Sequence, residues 1–190
     1  MLENNFLEKQ PSRKTKKGVA LFHHCMANPI YQQQDRLELF EEMEKQFDNK
    51  NEAYFKDLLK HNDSIVRTRA VCILADIADE NAIDAISMVL KYDTNPLVRH
   101  EAAFSLGQLG STRGILALID ALKSDPNHFV RHEAAIALGV IGSEDARKIL
   151  HDALGDESEE VRESAMVALA NLDYIRRMDR SNKFTKMTGG

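Results

Sequence analysis

Tryptophan is absent from this 190-residue chain, and cysteine occurs twice, proline four times and glycine nine times. Cys25 and Cys72 form no metal or redox spacing, so both read as free thiols in a reducing compartment. The chain is long enough to bury a core without disulfide staples. Few prolines and glycines, 6% aromatic residues and a 43% hydrophobic content are the composition of a helical soluble protein. No hydrophobic run reaches transmembrane length, and the polar N-terminus has no signal-peptide apolar region; a cytoplasmic protein with no membrane partner is expected. Positive charge is also short. The net charge is −5, which argues against general nucleic-acid binding. Basic residues do gather at the ends (Lys9, Arg13, Lys14, Lys16 and Lys17; Arg176, Arg177, Arg180, Lys183 and Lys186), without interleaved aromatics, and read as solvated tails.

What the chain has is a repeat. Val66-Arg67, Val98-Arg99, Val130-Arg131 and Val161-Arg162 follow one another at steps of 32, 32 and 31 residues. Three residues before each valine stands a helix N-cap former: Asp63, Asn95, Asn127 and Ser158. Such side chains accept bonds from the unpaired N–H groups of a first helical turn. Pro96 falls at the first helical position, where its missing N–H costs nothing. Apolar stripes follow at helical spacing, Val98, Ala102, Leu106 and Leu109, then Val130, Ala134, Leu138 and Ile141. Gly110 and Gly142 stand where left-handed C-caps are expected. A first helix precedes each of these, over about 51–61, 82–91, 112–123 and 144–154. The expected fold is all-α: an α-α superhelix, a HEAT-like solenoid of about four helix pairs. The expected organisation is an N-terminal tail and helical arm over 1–50, the repeat domain over 51–175, and a basic C-terminal tail over 176–190. In the arm, 35–48 reads as an amphipathic helix capped by Asp35, and it and Val19–Met26 are expected to cover the first repeat. His23 and His24 point about 100° apart on a helix, with no carboxylate nearby, and are not read as ligands.

The two central repeats carry one phrase twice: His100-Glu101-Ala102-Ala103 and His132-Glu133-Ala134-Ala135. Repeats keep core positions alike and let surface positions drift, so a duplicated His-Glu dyad calls for a reason beyond packing. On a helical wheel His100 lies about 200° from Val98, off the core face. Neighbouring second helices run about 8–10 Å apart, so two such imidazoles can converge on one ion with Glu101 and Glu133 beside them. An imidazole–imidazole–carboxylate set with open positions suits non-haem iron, though zinc and manganese accept the same ligands. The first and fourth repeats have Thr68-Arg69 and Glu163-Ser164 instead. Gly107 and Gly139 follow the dyads where the flanking repeats have Ala75 and Ala170; each costs roughly 1 kcal/mol against alanine. They are expected to open room for a ligand or a second chain. His61, His128 and His151 lack such a context and read as surface residues.

Leu97–Gly110 and Val130–Gly142, with their dyads and following glycines, resemble the deoxyhypusine hydroxylase family of HEAT-repeat enzymes. The resemblance extends over about residues 63–175; a broader kinship is with bilin-lyase-like HEAT repeats. It implies a non-haem di-iron centre held between two similar four-repeat halves, each supplying two dyads. By motif, His100, His132 and Glu133 become iron ligands, and Glu101 a catalytic residue in or near the ligand set and closer to the substrate. This chain has one half, so the resemblance implies a homodimer that restores four dyads across a two-fold axis. Two other readings stay open: a scaffold whose concave face grips a protein partner or substrate, and a chaperone of tetrapyrrole chemistry.

Overall fold

A computed structural model describes residues 29–178 of the protein. The expectations for Val19–Met26, His23, His24, Cys25 and the outermost basic residues lie outside that range. The chain divides into two compact units, one up to Lys45 and one from Gln46.

The first helix, α1 (Pro29–Asp48), starts before Asp35, which therefore lies inside it and caps nothing. Gln33 and Gln34 are good helix formers that give no reason to stop there, and Gln34 donates to Glu38 one turn on at 3.3 Å.

The second unit holds four helix pairs: α2 (Glu52–Leu58) with α3 (Ser64–Ala78), α4 (Ile83–Tyr92) with α5 (Pro96–Leu109), α6 (Ile115–Ser124) with α7 (His128–Ile141), and α8 (Arg147–Ala153) with α9 (Glu159–Arg177). No strand occurs among the described residues. Helices α4, α6 and α8 pack on one another in one layer, and α3, α5, α7 and α9 in the other. Between the layers each second helix buries the same three positions: Val66, Ala70, Leu74; Val98, Ala102, Leu106; Val130, Ala134, Leu138; and Val161, Ala165, Leu169. Leu109 and Ile141, at the ends of their stripes, are half-buried.

The expected caps form at Asp63, Asn95 and Asn127, whose side chains accept from the N–H groups of Ile65, Leu97 and Phe129 at 2.8–2.9 Å. Ser158 does not cap α9; its hydroxyl donates to the Glu160 carboxylate instead. Gly110 and Gly142 end α5 and α7 with φ of 64° and 72°, a region open to glycine at no steric cost.

A second ladder runs through the repeat turns. Arg67, Arg99 and Arg131 clamp the carboxylates of Asp93, Asp125 and Asp156 in the next repeat, each through two N–H groups at 2.6–2.9 Å. A further N–H of each donates to the carbonyl of His61, Asp93 or Asp125. Those carboxylates also accept the N–H of Asn95, Asn127 and Ser158. His61 takes the same place in the first repeat, its Nδ1 accepting the N–H of Asp63 at 3.0 Å. It is part of the turn and not simply a surface residue.

Gly107 and Gly139 do not open room. A Cβ at Gly107 would come within 2.9 Å of the Ala137 Cβ, and one at Gly139 within 2.8 Å of both Cα and Cβ of Ala168. Both glycines are buried, and they let α5 approach α7, and α7 approach α9, more closely than any side chain permits. Their cost in helix propensity is offset by that contact.

Candidate metal centre

His100 and Glu101 lie on α5, His132 and Glu133 on α7, two residues or three past each buried valine. The dyads do not pair within themselves. His100 Nε2 meets Glu133 Oε2 of the next helix at 3.4 Å, and His132 Nδ1 meets Ser164 Oγ on α9 at 2.6 Å. Each histidine thus faces the residue that follows the histidine position in the next repeat. That offset comes from the stagger between successive second helices, which no single wheel displays.

Glu133 is 8% exposed. Burial pushes its carboxyl up from the usual range, Glu101 pushes the same way, and His132 pulls it back. Burial likewise raises Glu101. The His100 imidazole is driven down by burial and then by His132, so at neutral pH it is uncharged and its contact with Glu133 is not an ion pair. A separation of 3.4 Å is long for a hydrogen bond. It is close to the spacing of two donors that share one cation at about 2.0–2.2 Å each. Glu101 also raises the Cys72 thiol, after burial. Cys72 lines a cleft of about 570 Å³ between α3 and α5 with Asp76, Asp79, Glu80 and Phe104.

The donor chemistry fits a divalent or trivalent cation in kind: imidazole and carboxylate, partly desolvated. Among the described residues no group of three or more His, Cys, Asp and Glu side chains is gathered tightly enough to hold an ion as it stands. The pair in place is His100 with Glu133, and Ser164 fixes His132 beside them. Ser164 was not singled out as a site residue because it departs from the dyad; the signal was its register with Glu133, 31 residues earlier.

One buried acid, one half-buried acid and a depressed histidine act against each other in pH. A raised carboxyl disfavours the folded state once it ionises, so its penalty is absent below the unfolded value of 4.5 and present above the raised one. Glu133→Gln should therefore raise the melting temperature at pH 7, with the gain shrinking towards zero below about pH 4.5. Thermal melts across pH check this, and a Gln variant melting lower at pH 7 would contradict it.

The HEAT-repeat family model matches residues 52–139 and 115–179. The chain belongs to the HEAT-repeat family. Human deoxyhypusine hydroxylase, solved in complex with glycerol, is 31% identical with a TM-score of 0.61, over 66% of this chain and 44% of that one. An engineered protein is 26% identical with a TM-score of 0.48, over 63% of this chain and 61% of that one. No curated protein sequence matches. The HEAT-repeat protein thus resembles deoxyhypusine hydroxylase while spanning less than half of that enzyme's length.

Proposed function

We propose that this HEAT-repeat protein binds iron through His100, His132 and Glu133, with Glu101 in or beside the ligand set, and serves as an O₂-activating hydroxylase. The observation that carries this reading is the meeting of His100 Nε2 with Glu133 Oε2 across two helices at 3.4 Å, with the imidazole uncharged. The likeness to human deoxyhypusine hydroxylase supports it. Iron, when bound, would supply the redox chemistry for inserting one atom of O₂ into a C–H bond, with an external two-electron reductant taking the other atom to water. The residues of this chain do the rest. His100, His132 and Glu133 would hold the ion, and Glu101, the residue after His100, would accept or return a proton of the substrate. Asp76, Asp79 and Glu80 along the neighbouring cleft favour a cationic substrate, such as a protein-borne amine.

Iron analysis after purification without added metal tests the proposal. About one iron per chain is expected, lost in His100→Ala and His132→Ala. No iron, even after anaerobic reconstitution, would leave a protein-binding scaffold. One observation favours that second reading: Ile65, Leu97 and Phe129 are exposed at the same position of three successive second helices, a row that an apolar partner surface could cover.

A further inference from the structure

We infer that Ser164 is a positioning residue: it holds His132 with its proton on Nδ1 and so presents the Nε2 lone pair as the donor atom. The inference deepens the metal reading and rests on it for the use of that lone pair, but the tautomer stands on geometry alone.

Ser164 Oγ is 3% exposed as part of its residue and lies 2.7 Å from the carbonyl oxygen of Glu160, one turn back on α9. It also lies 2.6 Å from His132 Nδ1, and the Glu160 carbonyl is itself 3.4 Å from that nitrogen. Three polar atoms share two protons at most. The carbonyl has none to give, and the hydroxyl has one. If the hydroxyl donated to Nδ1, Oγ and the carbonyl oxygen would face each other at 2.7 Å as two acceptors, and the nitrogen lone pair would face the carbonyl as well. If Nδ1 carries the proton, it donates to Oγ, and Oγ donates to the carbonyl, so every contact is attractive. The chain Nδ1–H···Oγ–H···O=C also gains from mutual polarisation in a buried setting. Free imidazole in water prefers its proton on Nε2, the atom a metal would need bare. Serine therefore inverts the ordinary preference.

Position matters as much as chemistry. Ser164 occupies, one repeat on, the place Glu133 occupies against His100. A serine orients the ring without adding charge, and partners that orient a ligand imidazole through its second nitrogen are typically worth 10- to 100-fold in metal affinity.

Long-range ¹H–¹⁵N correlation of the full-length, metal-free protein at pH 8 tests this directly. His132 is expected to show a protonated Nδ1 and a bare Nε2, whereas exposed imidazoles keep the aqueous preference. Ser164→Ala should shift His132 towards the proton on Nε2, because the Glu160 carbonyl at 3.4 Å is too distant to hold Nδ1–H alone. Ser164→Thr should restore the wild-type pattern, and circular dichroism should report the same helix content in all three. In parallel, Co²⁺ titration should show about 10-fold or more weaker binding in Ser164→Ala, recovered in Ser164→Thr. Wild-type His132 with its proton on Nε2, or a tautomer unchanged in Ser164→Ala, would overturn the inference. If the tautomer responds as expected but no chain binds Co²⁺ or iron, Ser164 keeps its role on the ring and the metal reading falls by itself.

Discussion

Asp125→Ala is expected to lose about 3–5 kcal/mol of folding stability, a large part of the 5–15 kcal/mol that holds a typical domain. The Asp125 carboxylate accepts two N–H bonds from Arg99 at 2.6 and 2.9 Å and the N–H of Asn127 at 2.9 Å. The two side chains are only 10% and 6% exposed. Removing the acid leaves a buried guanidinium with one hydrogen bond, to the Asp93 carbonyl, and only the more distant pull of the Asp93 carboxylate; a cation stripped of its bidentate anion at low exposure is the costly case. Arg99 also joins the turn inside its own helix pair to the turn inside the next. Losing the clamp weakens the coupling between neighbours, the term on which a solenoid's cooperativity depends. Urea unfolding followed by circular dichroism should show the drop in midpoint and a broader transition. The control is Asp84→Ala: its pair with Arg113 is 48% and 83% exposed, and its loss should cost under about 1 kcal/mol. Equal small effects at both sites would show that the buried ladder is not a structural joint.

That ladder marks where a sequence stops being legible. Valine spacing, caps at Asp63, Asn95 and Asn127 and glycines at the helix ends are local signals, and the helix pairs follow them within a few residues. Arg99 and Arg131 served in the sequence only to mark the register, because their partners lie 26 and 25 residues away. The clue was an aspartate five residues before each valine, at Asp93, Asp125 and Asp156. Gly107 and Gly139 failed for a related reason: a helical wheel gives the direction of a missing Cβ but not the backbone of the helix it would strike. Ser158 shows the limit of cap preferences, since a glutamate two residues on takes its hydroxyl. The dyads themselves were visible as a duplication. That His100 would meet Glu133, and His132 would meet a serine, needed the stagger between helices.

The second large expected effect is a doubling of mass on metal loading. One chain offers two dyads, His100-Glu101 and His132-Glu133, and it spans 44% of the human enzyme it resembles. Oxygen activation calls for a site shielded from water, and among the described residues His100 keeps about a third of its side chain exposed. A second copy related by a two-fold axis would set the same surface opposite itself and bring four dyads together. Gly107 and Gly139 cannot serve that approach, because Ala137 and Ala168 already fill the space in front of them. Contact must instead come from the surface around the histidines, where His100 is about one-third exposed. Burial of Glu133 and half-burial of Glu101 explain why the metal should be required: both already resist ionisation in one chain, and a second set opposite would resist it further unless a cation is shared. Sedimentation should therefore find a dimer in the iron-loaded protein and a monomer after chelation, with His132→Ala monomeric under both conditions. Chelation should become harder as pH rises from 5 to 7, since ligands must shed protons to bind. A chain that stays monomeric when loaded with iron would confine the metal to a single open site and remove the basis for a two-fold hydroxylase.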